Sequence, residues 1–321
     1  MKKIILILTL VSCSVSLSAV ELADLPANCH WLTRLDSREV RNAPITLALL
    51  NKMLPNHLQL ANGKRSSFNE FLGMDPVNDL DEIVAGGLGN ETAPWFVLLS
   101  GKWNPVQVRN SLKMARTFAS ENHRKYEVMS WRAGNGQTRF VVFPRPGLAL
   151  VTNNRAMAKS NLDALDKLIP TQPAPHIFQP VFKREPGRAI VARCDSTVRL
   201  KLQLDIMQLL NPVVALGASV MIQGRDRMDV KFSAITPSPE QAQVLKQALA
   251  GVQALAMLTA KDHPEEAELL SRAKLKSKHE TVSANFTLDT NTAIRLLQMA
   301  QRKGASNYNL REMQQRQRLH R

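Results

Sequence analysis

Leu35-Asp36-Ser37-Arg38-Glu39-Val40 is echoed far along the chain by Cys194-Asp195-Ser196-Thr197-Val198. In each case a strand-like run comes before, over 30–36 and 188–194, and an apolar helical stripe follows, over 44–54 and 198–210. The parallel order then continues. In the first half, strand-like runs at 82–88 and 95–101 lead to a helix that Asn104 caps, with Pro105 at its first position. A hairpin at 126–132 and 138–144, a strand at 148–152 and a helix capped by Asn153 or Asn154 complete it. In the second half, strands at 215–223 and 228–235 precede the capping box Ser238-Pro239-Glu240-Gln241. That box opens a long helix with Val244, Leu245, Ala248, Leu249, Val252 and Leu255 on one face. A short helix at 264–273, one or two strands over 274–288 and a last helix ending at Gly304 close the pattern.

Pro170, Pro173, Pro175, Pro180 and Pro186, closing with Gly187, separate the two runs. Proline at that density interrupts regular elements, so 171–187 reads as a connector. The predicted organisation is a signal peptide at 1–19, an N-terminal α+β half at 20–170, the connector, a C-terminal α+β half at 188–303 and a basic tail at 304–321. The predicted fold class is α+β, with two pseudo-repeated halves, each an antiparallel sheet with helices packed on one face. Chance similarity of two α+β segments is the alternative to duplication.

The leader is read from charge and hydropathy. Met1-Lys2-Lys3 is positive, residues 4–11 are apolar apart from Thr9, and small residues fill much of 12–19. This is the layout of a secretory signal, and its apolar core falls short of the about 20 residues that span a bilayer. Cleavage after Ser18 or Ala19 fits. Leu10-Val11-Ser12-Cys13 is similar to the lipobox of bacterial lipoproteins, which makes Cys13 a candidate for lipidation. The expected location is periplasmic or secreted, with lipid anchoring as the variant. Export leaves Cys29 and Cys194 as a candidate disulfide, whose long loop would stabilise the fold by about 4–5 kcal/mol in the chain-entropy model. Two separate buried thiols are the other reading.

The chain has 321 residues, 44% of them hydrophobic, which excludes a disordered or collagenous protein. Its net charge of +15 is unevenly spread: the leader holds +2, residues 20–170 hold +4, residues 171–300 hold +4 and the last 21 residues hold +5. The tail is therefore the compositional anomaly, with Arg302, Lys303, Arg311, Arg316, Arg318 and Arg321 against Glu312. Such a tail suits phosphate, anionic lipid or an acidic partner. Tyr308 alone offers base stacking there, so nucleic acid is a poor match. A frayed, solvated extension is the alternative.

Standard catalytic and ligand-binding motifs are absent: no phosphate loop, no H-E-x-x-H, no G-x-S-x-G and no C-x-x-C. Gly86-Gly87-Leu88-Gly89 lacks dinucleotide-loop spacing and reads as a strand end. The seven histidines are scattered without ligand spacing. Cys29 and His30 are adjacent on a strand and point to opposite faces, which argues against a nucleophile and base. Asp75, Asp79, Asp81 and Glu82 form the best metal candidate, although EF-hand spacing is missing and a solvated turn explains them. No cofactor is expected.

Leu25-Pro26-Ala27-Asn28-Cys29-His30-Trp31, running on to Asp36, resembles the opening of a family of uncharacterised exported bacterial α+β proteins. Gly73-Met74-Asp75-Pro76 with Asp79-Leu80 resembles that family's segment before its second strand. The shared element order covers most of residues 24–300. The family has no established activity, so the resemblance implies no catalytic or binding residue, and Cys29 and the basic tail depart from its pattern. Together these readings point to an exported, envelope-associated protein that binds or scaffolds, its partner unspecified. A hydrolase of envelope material built from dispersed residues, and binding to an anionic surface through the tail, are the competing readings. Any sheet face left uncovered is the expected interaction surface.

Overall fold

The computed structural model describes residues 20–21, 24–25, 29–41, 78–89, 93–133, 136–169, 177–196, 212–224, 227–259, 268, 271–289, 291–292 and 295. The leader with Cys13, the helices expected at 44–54 and 198–210, Asp75 and the basic tail lie outside these residues.

The described chain is a mixture of helix and strand built on one large antiparallel sheet. Its strands are β1 (Trp31–Asp36), β2 (Leu80–Gly87), β3 (Trp95–Gly101), β4 (Ala119–His123), β5 (Tyr126–Arg132) and β6 (Thr138–Arg145). They continue with β7 (Leu148–Thr152), β8 (Arg188–Asp195), β9 (Ala215–Gln223), β10 (Arg227–Ile235), β11 (Lys274–Lys278) and β12 (Thr281–Asp289). The order across the sheet is β11-β12-β10-β9-β8-β1-β2-β3-β7-β6-β5-β4. The sequence predicts a separate sheet for each half, whereas the structure has twelve strands in one. Strands β1 and β8 join them, pairing antiparallel with Trp31 opposite Cys194 and Leu35 opposite Ile190. Each of these strands would otherwise be an edge with unpaired backbone groups, and pairing satisfies both.

Five helices occur among the described residues: α1 (Ser37–Val40), α2 (Pro105–Lys113), α3 (Arg155–Leu165), α4 (Gln179–Phe182) and α5 (Pro239–Thr259). Alternate side chains of the first-half strands face opposite ways. Leu98, Val142, Leu148 and Leu150 pack with Met157, Ala158 and Leu162 of α3. Their neighbours Leu99, Val141, Ala149 and Val151 pack with Val108 and Leu112 of α2. The first half therefore carries helices on both faces of its sheet. In the second half, Ala242 and Leu245 of α5 cover Val213, Ala234 and Val282.

The proline-rich connector is partly docked. Phe178 and Val181, at and within α4, are buried in the same core as Leu32 and Val191 from the two seam strands. Gly86 is enclosed as well: a methyl there would stand 2.6 Å from Leu32 Cδ2 and 2.7 Å from Phe96 Cζ. The two edge strands are polar. Strand β4 reads Ala-Ser-Glu-Asn-His, and β11 reads Lys-Leu-Lys-Ser-Lys with its three lysines exposed.

Candidate functional site

Beside the seam, the β1–β2 register sets two carboxylates directly opposite each other, Asp36 and Glu82. Like charges so placed repel. Arg34, two residues before Asp36 and on the same face, lies between them. Its Nε donates to Glu82 Oε1, and its Nη2 donates to Asp36 Oδ2 at 2.8 Å. All three side chains are buried. Two more cations reach in from the solvent side: Arg184, after α4, donates to Glu82 Oε1 at 3.2 Å, and Arg38 to Asp36 Oδ1 at 3.3 Å. Asp36 also caps α1 by accepting from the Arg38 amide, which fixes its rotamer. The backbone N–H of Val20 donates to the other oxygen of Glu82, Oε2, at 3.3 Å.

The acidic cluster read as the best metal candidate resolves into separate ion pairs. Asp79 approaches Lys102 at 3.8 Å, Asp81 approaches Arg41 at 3.1 Å, and Glu82 belongs to the buried network. The carboxylates diverge because Asp81 and Glu82, adjacent on β2, point to opposite faces. Among the described residues no group of three His, Cys, Asp or Glu side chains converges as a metal site.

No disulfide joins Cys29 and Cys194. The seam strands do pair antiparallel, yet Trp31 is the residue that meets Cys194. Cys29 lies two residues beyond, an offset that in a ladder separates Cα atoms by roughly 7–8 Å, outside bridging range. Burial pushes the Cys29 thiol up to about 12, and burial raises that of Cys194 as well. Neither is activated as a thiolate nucleophile. The partner of His30 is Asp195, whose Oδ2 is 2.8 Å from Nδ1, a contact that ties the start of β1 to the end of β8.

A second polar cluster clasps α3 to the β4–β5 hairpin. Asp163 accepts from Arg124 at 2.8 Å and contacts His123 at 3.1 Å, while Asp166 accepts from Tyr126 at 2.6 Å and Lys125 at 3.0 Å. The Tyr126 hydrogen bond, aided by Lys125, holds the Asp166 carboxyl below its ordinary range against the effect of burial. For Asp163, burial pushes upward, but the His123 and Arg124 hydrogen bonds outweigh it and the group is lowered.

Sequence reasoning did not find the Arg34–Glu82–Arg184 network. Its members are far apart in the chain, and Arg184, within Lys183-Arg184-Glu185, and Glu82, next to Asp81, carry no local signal that sets them apart from their charged neighbours. The other unforeseen feature is exposed apolar surface on the second half. Val244, Leu255 and Leu258 of α5 are 65%, 64% and 67% exposed. Their spacing places them along one stripe of the helix. Phe232, 51% exposed, shares a sheet face with Ala234 under α5 and meets Phe286 edge-to-face at 6.0 Å.

No described helix is long and apolar enough to cross a membrane. No protein-family profile and no curated protein matches the sequence. The fold is similar to that of the Treponema protein TP0453 in crystal form I, with a TM-score of 0.51 at 11% sequence identity, covering 87% of this chain and 97% of that one. Crystal form IV of TP0453 matches with a TM-score of 0.47 at 10% identity. At such identities the likeness concerns architecture alone: a mixed helix-and-strand protein with a large antiparallel sheet.

Proposed function

We propose that the protein is exported to the cell envelope and works by binding or scaffolding, through the apolar side of its second half. The observation that carries this reading is the stripe of Val244, Leu255 and Leu258 on α5, with Phe232 on the sheet face beside it. Exposed apolar side chains gathered on one side of a domain mark a surface for a protein or lipid partner. The leader over residues 1–19 supports the location. A duplication supports the shape of the surface: β1-β2-β3 and β8-β9-β10 run outward from the seam in the same order, as two halves related by a pseudo-repeat would. Within that scheme, the arrangement of helices on one face describes the second half, where α5 is the covering helix.

Cell fractionation tests the reading. The wild-type protein is expected in the envelope fraction, and the V244S/L255S/L258S variant in the soluble exported fraction. An unchanged distribution of a folded variant removes this surface from consideration. The basic tail supplies a second reading, because six cations stand against one acid in the last 21 residues. Deleting residues 304–321 is then expected to abolish retention on anionic liposomes at low salt, and salt-insensitive retention of the truncated protein excludes it.

A further inference from the structure

We propose that hydrolysis of the Ala19–Val20 peptide bond creates the last ion of the buried network: the new α-ammonium of Val20 docks on Glu82. The inference rests on the export reading above. Charge balance carries it. Among the described residues of the buried zone, Asp36 and Glu82 supply two negative charges, while Arg34 is the single cation as deeply buried. Arg38 and Arg184 approach from outside and are about half exposed. One negative charge is therefore compensated only at the rim, and an uncompensated buried charge is costly.

The Val20 nitrogen already occupies the required place. It lies 3.3 Å from Glu82 Oε2, the oxygen that neither arginine engages. The valine side chain is only 3% exposed and packs in the core with Leu25, Leu32 and Val84. Asp24 fixes the following turn, accepting from the Glu21 amide at 3.1 Å and from Lys167 Nζ at 2.9 Å. As an amide, this nitrogen offers one hydrogen and no charge. Water adds across the Ala19–Val20 bond, the C–N bond breaks, Ala19 leaves as the carboxylate with the water oxygen, and the valine nitrogen takes both water protons to become an ammonium. A charge-assisted hydrogen bond of this kind is shorter and about twice as strong as a neutral one. Between the two cleavage points the sequence allows, this geometry selects the one after Ala19. Processing thereby completes the core, and the mature chain is more stable than its precursor.

The test uses precursor and processed protein, each as wild type and as E82Q. Processing is expected to lower the unfolding constant of the wild type about tenfold or more relative to E82Q, as close buried charge pairs do. Effects of the leader itself cancel in this cycle. A second readout covers the case in which E82Q fails to fold: acylation of the Val20 α-amine in native processed protein, followed by peptide mass spectrometry, is expected to be at least tenfold slower than in urea. Equal gains on processing, equal acylation rates, or an exported chain that begins at Cys13, Ala19 or any residue other than Val20 would overturn the inference with export intact. A chain kept inside the cell with its leader attached would instead remove the export reading.

Discussion

Arg34 stands between two carboxylates, since strand register alone brings Asp36 and Glu82 face to face. Arg34→Ala is expected to destabilise the protein by about 3–5 kcal/mol, read as a lower urea midpoint with an unchanged slope. A loss under about 1 kcal/mol would mean that Arg38 and Arg184 suffice. The cysteines yield a second expectation. With both thiols raised by burial, native protein at pH 8 should alkylate slowly, and denatured, unreduced protein from which the leader with Cys13 has been removed should take up two equivalents of label. Uptake of none would mean that the thiols pair after all. These residues show how legibility fades at the finest scale. Asp36 was visible as the end of a strand-like run, but its counterpart across the ladder is fixed by sheet pairing and lies far away in sequence. Cys29 and Cys194 were legible as the two cysteines left after export, but not the register of β1 on β8, whose offset of two residues keeps them apart.

At the scale of elements, local signals were sufficient wherever a strand buries one or both faces. Apolar alternation located β3, β5, β7 and β9 at their observed bounds, and the caps foresaw α2 and α3. Asn104 accepts from the Gln107 amide at 3.1 Å, and Asn154 accepts from the Met157 amide at 2.9 Å. Replacing either asparagine with alanine should cost about 1 kcal/mol in thermal or urea unfolding. Strand β4 was missed because it is polar throughout and has no apolar period to read. The helix α5 was found with most of its inward stripe: Leu245 is buried and Leu249 packs beside it, while Val244 and Leu255 at the margin are exposed. Its apolar stripe is broader than the part that meets the sheet, so periodicity alone could not tell Leu245, which is buried, from Val244, which is not. The α3 clasp adds a pH dependence. Asp163 and Asp166 have lowered folded-state values, so their stabilisation is complete above the unfolded value of about 3.9 and is lost as pH falls through the lower folded value. In an acid titration followed by circular dichroism, Asp166→Asn should lose less stability between pH 5 and pH 2 than wild type, with those limits taken as about one to two units either side of that value. Parallel curves would show that Asp166 contributes nothing to this pH dependence.

Across the whole molecule, the sequence shows two runs of elements but not that β1 and β8 zip them into one sheet. Such pairing is non-local, and nothing in either strand records its partner. The consequence for folding is cooperative: the core at the seam mixes Leu32 and Val84 of the first half, Phe178 and Val181 of the connector and Val191 of the second half. Calorimetry should therefore show one transition with matching calorimetric and van't Hoff enthalpies, while two resolved peaks would mean that the halves melt separately. One feature also governs what can join this sheet from outside. Among the described residues the twelve-stranded sheet ends at β11 and β4, and a rim left uncovered invites another strand to add on. Here one rim is the polar β4, and the other carries Lys274, Lys276 and Lys278 in alternation, a row of like charges that a second copy would have to bring against its own. Both rims therefore disfavour edge-to-edge addition of a second copy, and under the binding reading proposed above the partner is expected on a face of the sheet.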